Sequence, residues 1–407
     1  MKILIITQRW YPDTFGGSEH VASEQALRLA ARGHEVTVLT ERVRDALPPV
    51  QEQGNLKLYR YGSEAQFSRI AGRSRTDLKE VPKLIHELCG QATAVRDLAT
   101  KTPWDAAILH HPFVAAGFFK SGIKIPSLYV FHGSTAKEVE FEKTGRFPFL
   151  TPLFVAWASR IEKSVLRRAD SIGVFSDFSR GILLGIVPEA HNRVVRLSAG
   201  IDQEIFCPAD RVFARARLGL PKDKMIFLSV RRFTARMGLS RLIAAMEIVG
   251  RTLPDVRLLI VGEGPLKKTL ASEIKRLDLQ GKVTLVGSVP LEDLPLYYQS
   301  ADLFVLPTEA YEGLGMSTLE ALACGTPVLG TQAGATPEIL RDLDLALIVP
   351  QGSASSLADG IVAYVARPLG EKQALQKSAR ALIEKKYGWE RAVEELERVL
   401  ENLIGPM

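Results

Sequence analysis

Cysteine is scarce in this chain. There are three among 407 residues, Cys89, Cys207 and Cys324, far apart and odd in number. That argues against a disulfide framework or a cysteine metal site and points to reduced thiols in a cytoplasmic protein. Long hydrophobic runs are missing too: no stretch approaches the roughly 20 consecutive apolar residues of a membrane span. The opening MKILIITQRW turns polar at Thr7 to Arg9, too soon for a signal-peptide core, and is expected to be the first strand of the fold. The chain has no G-x-S-x-G, no H-E-x-x-H and no Walker lysine loop, which sets aside serine hydrolases, zinc proteases and P-loop enzymes. Basic motifs interleaved with aromatics are absent, so no nucleic-acid partner is expected. The one D-x-D, Asp342-Leu343-Asp344, follows a helical pattern instead of a strand tip, and no metal site is expected there.

What is present is an ordinary globular composition, 46% hydrophobic and 24% charged, in a chain long enough for two cores. Charge is uneven: residues 1–199 hold 27 Lys and Arg against 20 Asp and Glu, while the remainder is near neutral. A basic first half is compatible with an anionic acceptor or membrane surface, and equally with ordinary surface charge. Strand-like runs fall near Lys2–Thr7, Glu35–Thr40, Ala106–His110, Ser127–Phe131 and Ser171–Phe175. Helical periodicity covers about Ser18–Arg32, Thr76–Thr100, Leu150–Arg168 and Asp177–Gly185. The rhythm restarts with strands near Met225–Val230, Val256–Val261, Val283–Val286, Asp302–Leu306, Pro327–Gly330 and Ala346–Val349. Strands alternating with helices predict a parallel sheet covered on both faces in each half. Ser198–Pro208 is the expected linker, and two facing sheets would form a ligand cleft. The amphipathic Trp389–Leu403 is long enough to cross back toward the first half.

Chemistry concentrates at the predicted strand ends. Glu312 and Glu320, in E-G-L-G-M-S-T-L-E, lie two helical turns apart on nearly one face. Gly313 and Gly315 clear side chains from the start of that helix, where backbone N–H groups face an anion or polar ligand. After the first strand, Gly16-Gly17 opens a helix in the same way, with Ser18 as the expected N-cap. The loop is not G-x-G-x-x-G, and no acid follows at the ribose position, so a dinucleotide site is disfavoured. His132-Gly133 ends another strand and places an imidazole where it can donate to a sugar hydroxyl or to developing charge. His110-His111 occupies a second strand end. Arg231-Arg232, with Arg236 following, puts guanidinium groups beside a helix start, a fit for a diphosphate. Gly262-Glu263-Gly264-Pro265 reads as a turn that leaves room for a ligand.

The order of these features, with Pro12, Glu19, R-G-H-E-V-T-V-L-T at 32–40, Gly200-Ile201-Asp202, Phe206, Gly238 and Gly325-Thr326-Pro327-Val328, resembles the retaining nucleotide-sugar glycosyltransferases of the GT-B fold, family four. The resemblance implies an acceptor-side Rossmann-like domain over 1–199 and a nucleotide-sugar domain over 200–386. A helix over 387–407 would return to the first domain. It implies that Glu320 holds the ribose, and that Glu312 with the backbone from Gly313 through Leu314 to Gly315 holds the transferred sugar. The Met316 and Ser317 amides, Arg232 and Arg236 would face the diphosphate, with Gly264 shaping the pocket. Gly16 and Gly17 would close over the phosphates, and His132 would touch the sugar. One departure stands out: Met237 occupies the place of the family's usual lysine, leaving Arg236 or Arg231 to supply the charge.

The activity implied is metal-independent, cofactor-free transfer with retention to a hydroxyl acceptor, by front-side attack, since no second carboxylate is placed as in a retaining glycosidase. The alternatives are a GT-B nucleotide-sugar epimerase and a non-enzymatic two-domain sugar-binding protein. Acceptor contacts would come from the first domain, whose suggestive segments are the basic Lys57–Lys79 and the aromatic and basic Phe141–Arg168. The second could lie on an anionic membrane, or be a buried helix with a solvated basic face.

Overall fold

The computed structural model describes residues 1–14, 16–62, 81–142 and 151–405, without the side chains of 81–89. The chain divides into two compact units, one of Met1–Ala199 with Glu390–Met407 and one of Gly200–Trp389.

The first unit runs β1 (Lys2–Ile6), α1 (Gly17–Ala31), β2 (Glu35–Glu41), β3 (Val50–Gln53), β4 (Leu56–Tyr61), α2 (Val81–Ala99), β5 (Ala106–His110), α3 (Pro112–Ser121), β6 (Ser127–Phe131), α4 (Thr135–Glu142), α5 (Thr151–Arg168), β7 (Ser171–Val174), α6 (Asp177–Ile186) and β8 (Val194–Arg196). Its sheet order is β3-β4-β2-β1-β5-β6-β7-β8, parallel apart from the β3–β4 pair. The central strands are apolar because helices cover both faces, and Ile3 to Ile6 have no exposure at all.

The sequence reading passed over β3, β4 and β8. The β3 strand is short and exposed throughout, with Val50 its one apolar residue, so it lacks a hydrophobic period. The β4 strand does alternate, with Leu56, Leu58 and Arg60 buried. Arg60 is the reason the segment looked like surface charge: its Nε lies 2.7 Å from Asp13 in a buried pair. The rest of the basic segment, Arg69 to Lys79, lies outside the described residues, as do 76–80 and Leu150 of the two predicted helices.

The second unit contains α7 (Arg211–Arg217), β9 (Met225–Val230), α8 (Leu239–Thr252), β10 (Val256–Val261), α9 (Lys267–Arg276), β11 (Val283–Gly287), α10 (Leu294–Ser300), β12 (Leu303–Leu306), α11 (Met316–Ala323), β13 (Val328–Thr331), α12 (Thr336–Leu340), β14 (Ile348–Val349), α13 (Ala354–Ala366) and α14 (Leu369–Lys386). Its sheet, β11-β10-β9-β12-β13-β14, is parallel throughout. The final helix, α15 (Trp389–Ile404), joins the first unit from Glu390 onward. There Glu397 accepts from Arg32 Nε at 2.9 Å and sits 2.8 Å from His34 Nε2, while Glu395 accepts from the Ser198 amide at 3.0 Å. Val393, Leu396 and Leu400 are buried, each worth roughly 1.5–3 kcal/mol against exposure. No helix among the described residues is long and apolar enough to cross a membrane.

Each sheet order reverses direction once, between β1 and β5 in the first unit and between β9 and β12 in the second. At such switch points adjacent connections leave toward opposite faces, opening a crevice beyond the carboxyl ends of the strands.

Candidate active site

In the second unit the crevice at the switch point is charged. Arg231 follows β9 and is buried. Its Nη2 donates to Thr308 Oγ1 at 3.0 Å, to Met237 Sδ at 2.7 Å and to the Glu312 carboxylate. Its Nη1 lies 3.4 Å from Ser317 Oγ. Thr308 and Glu312 belong to the loop between β12 and α11, which Tyr311 enters with φ 54 and Gly315 leaves with φ 83 as the residue capping α11. A non-glycine residue in the left-handed region is a cost that surrounding structure must hold in place. Here Arg236 Nη1 donates to the Tyr311 carbonyl at 3.2 Å, and Ala335 donates its amide to the Glu312 carbonyl at 2.9 Å.

Burial pushes the Glu312 carboxyl up, but Arg231 and then Arg236 outweigh it and hold the group below its ordinary range. Glu312 is therefore an anion that can accept hydrogen bonds but cannot donate a proton. It lies in the loop before α11, so it and Glu320 are not two turns apart on one helix face as the spacing predicts. Glu320, the fifth residue of that helix, behaves differently. Burial raises it to about 7, and Tyr298 donates its hydroxyl to it at 2.6 Å. The first-turn amides of α11, at Met316 and Ser317, have no acceptor within the helix and carry the positive end of its dipole.

The second unit thus brings together Glu312, Ser317 and the helix start of the E-x7-E segment. Gly313 and Leu314 are half-buried in the same loop. Arg232 is exposed, whereas its neighbour Arg231 is the arginine inside. A Cβ on Gly264 would lie 2.5–2.8 Å from the Phe233 backbone, so this glycine lets two strand-end loops lie flush. Asp342 and Asp344 are taken up separately, by Lys386 at 2.7 Å and Arg367 at 2.5 Å.

In the first unit, His132 follows β6 and its Nε2 lies 2.9 Å from Nδ1 of His110, which ends β5. The two rings stack at 5.2 Å, and Phe175 lies 5.7 Å from His132 on the other side. Desolvation lowers His132 to about 4, against a smaller opposing pull from Glu19, so the ring is neutral at physiological pH. Gly16 occupies the cap position of α1 without a side-chain bond. Ser18, expected as the N-cap, lies inside the helix and donates instead to Glu19 at 2.8 Å. A Cβ on Gly16 would strike the Glu19 carboxylate, which therefore turns back over the helix start.

Beyond His132, the Gly133–Thr135 loop is clamped by Glu162 of α5. Ser134 Oγ donates to it at 2.8 Å and the Thr135 amide at 3.1 Å. Burial raises Glu162 to about 7, and these two bonds oppose that rise only in part. Sequence reasoning missed Glu162, Tyr298 and Thr308, and placed His110 at a strand end without pairing it to His132. The signal for Glu162 was a lone acid among Arg160, Lys163, Arg167 and Arg168, on the helix face that also carries Phe154 and Ala158.

Two largely parallel sheets with charged groups beyond the strand ends at their switch points define a doubly wound α/β protein whose ligand crevices lie there. Two family models match the chain, Glycosyltransferase Family 4 over residues 15–205 and Glycosyl transferases group 1 over 210–389. D-inositol 3-phosphate glycosyltransferase of Mycolicibacterium paratuberculosis is 29% identical over 90% of this chain and 81% of its own length. Among solved structures, sucrose-phosphate synthase from Thermosynechococcus elongatus superposes with a TM-score of 0.82 at 23% identity, covering 99% of this chain and 98% of that one. Anabaena HepE in complex with UDP-glucose gives 0.75 at 18% identity, covering 98% and 99%. The chain belongs to the group 1 glycosyltransferases of family 4, has the GT-B fold, and is a glycosyltransferase.

Proposed function

We propose that the enzyme moves a sugar from a nucleoside-diphosphate sugar to a hydroxyl acceptor, retaining the anomeric configuration and using no metal ion. The buried Arg231–Glu312 pair beside the N-terminus of α11, the helix that carries Glu320, is the observation that carries it. Glu312, kept ionised, accepts hydrogen bonds from hydroxyls of the transferred sugar. Glu320 accepts from the ribose. The α11 amides and guanidinium groups meet the charge that builds on the departing diphosphate, as preorganised electrostatics and not as covalent chemistry. The bond from C1 to the phosphate oxygen breaks while the acceptor oxygen bonds C1 on the same face. The acceptor proton passes to the departing phosphate oxygen. Neutral His132 donates to or accepts from a sugar hydroxyl, and Gly16-Gly17 lets the α1 backbone approach the phosphates. The UDP-glucose bound by HepE supports a nucleotide-sugar donor here.

We assign the enzyme to the cytoplasm, with α5 touching an anionic membrane. Leu153, Arg160 and Lys163 are exposed on α5, while Phe154 is buried and Trp157 stacks on Phe113 at 5.2 Å. Phe147, Phe149 and Leu150, named from the sequence for the same role, lie outside the described residues.

A thermal-shift panel of UDP, GDP and ADP with their glucose conjugates, with and without magnesium, tests the donor site. One nucleotide series should stabilise the protein equally with and without metal, and no shift with any of them would refute the proposal. Product NMR then reads the anomeric configuration. Sedimentation with anionic vesicles at low salt reads the membrane contact, and no sedimentation would remove it.

A further inference from the structure

We propose that Cys207 and Cys324 are a redox pair: hydrogen peroxide converts the two thiols to an intramolecular disulfide that ties the start of the second unit to the end of α11. Both are free thiols, Cys324 buried and Cys207 half-buried. They are far apart in sequence, yet the two segments run past each other in register. A single nitrogen, Nη1 of Arg380 in α14, donates to the Phe206 carbonyl at 2.9 Å and to the Ala323 carbonyl at 3.0 Å. On the other side, a Cβ on Gly325 would lie 3.6 Å from the Pro208 ring. The residues before the two cysteines therefore meet, and so do the residues after them, which leaves Cys207 opposite Cys324. Backbones in such side-by-side contact have the spacing a disulfide spans, with Cα atoms roughly 4.4–6.8 Å apart. Helix α10 fixes both segments. Gln299 Nε2 donates to the Cys207 carbonyl at 2.8 Å, and Thr326 Oγ1 donates to the Tyr298 carbonyl at 2.7 Å.

The two thiols differ, and the difference sets the order of steps. Cys207 is the one an oxidant reaches. Its sulfur attacks one peroxide oxygen, the O–O bond breaks, and the thiol proton leaves with the other oxygen as water, giving a sulfenic acid. The Cys324 sulfur then attacks the Cys207 sulfur. The S–O bond breaks, and the hydroxyl departs as water with the Cys324 proton. The sulfurs lose two electrons and the peroxide gains them. Burial pushes the Cys324 thiol well above its ordinary range, with Glu320 and Cys207 adding to the rise, so Cys324 is inert toward the oxidant itself and the second step is the slow one. Transient disulfides of this kind are the form in which cytosolic proteins sense oxidants. The pair adjoins the candidate site. Cys324 donates its amide to the Glu320 carbonyl at 3.1 Å, and the Phe206 ring stands 6.0 Å from that of Tyr298, whose hydroxyl holds the Glu320 carboxyl.

The test treats the full chain with hydrogen peroxide, alkylates the remaining thiols after denaturation, and maps peptides without reduction. Peptides joined through Cys207 and Cys324 should appear, lighter by two hydrogens than their separate parts, and dithiothreitol should part them. Closing so long a loop should raise the midpoint of thermal unfolding by roughly 5–15 °C, reversibly. Cys207→Ser should show neither the bond nor the shift. Cys324→Ala should stop at the sulfenic acid on Cys207, which dimedone captures. Wild-type protein in which both thiols stay alkylatable would overturn the inference, as would a bond from either thiol to Cys89 or to a second chain. A Cys207–Cys324 bond that leaves the midpoint unchanged or lowers it would overturn it too, because the backbones would then have left their native places to form it. If Cys324→Ala does not fold, the wild-type map and Cys207→Ser decide alone.

Discussion

Replacing Glu162 by glutamine should make the stability gap between variant and wild type depend on pH, with the variant gaining as pH rises. Glu162 is 1% exposed and has its pKa raised from 4.5 to about 7 by burial. The folded chain therefore binds this proton more tightly than the unfolded chain. Its contribution to stability is complete below about 4.5 and is lost as pH rises through about 7. At about 1.36 kcal/mol per pH unit, the interval between the two values corresponds to roughly 3 kcal/mol. Glutamine imitates the protonated acid: its Oε1 can keep the Thr135 amide bond, and its amide can donate to Ser134. The two proteins should thus have similar stability near pH 5, and the variant should lead by most of that amount near pH 8. His132 is lowered to about 4 and titrates in the opposite sense through the same window, but it is present in both proteins and cancels in the difference. Denaturant unfolding followed by tryptophan fluorescence suits the purpose, because Trp10, Trp104 and Trp157 all lie in the first unit. A gap that stays constant between the two pH values would show that the clamp on the His132 loop does not titrate with folding.

Further outcomes follow from individual contacts. Glu312→Ala should abolish transfer, since it removes the carboxylate proposed to hold the transferred sugar and leaves Arg231 buried without its counter-charge. Glu397→Ala, which loosens α15 from Arg32 and His34, should leave turnover nearly intact, and equal losses in a coupled assay would refute the site. Tyr298→Phe removes the hydroxyl that donates to Glu320 and should move that carboxyl further up. Nucleoside affinity at neutral pH should then fall several-fold, consistent with about 1 kcal/mol for one hydrogen bond, and should recover as pH rises. Gly238→Ala would push a Cβ into the Pro307 carbonyl at a residue with φ 70, and should cost roughly 1–3 kcal/mol by thermal unfolding.

The fold was legible wherever a strand is buried on both faces, because such strands are continuous apolar runs between turn residues. Ala106–His110, Ser127–Phe131, Met225–Val230 and Val256–Val261 are strands with those bounds. Edge strands carry no such mark: β3 has one apolar residue, Val50, and β8 has only three residues. The site was legible for a related reason. Glycines and charged residues at the carboxyl ends of buried strands break an apolar pattern, and so the E-x7-E segment, His132 and the arginine pair all stood out.

What periodicity cannot give is direction at a strand end, where the chain leaves the pleat and alternation stops predicting which side chain turns inward. Arg231 and Arg232 are adjacent and chemically identical. Family resemblance favoured the second, yet the structure buries the first and exposes the second. The deciding contact lies 81 residues away at Glu312. The pairing of His110 and the role of Glu162 were hidden for the same reason, since their partners His132 and Ser134 stand 22 and 28 residues away in sequence. Groups at strand ends, where the candidate site lies, advertise themselves. Groups that hold them in place are set by long-range packing, and they become visible only when the sheet order is known.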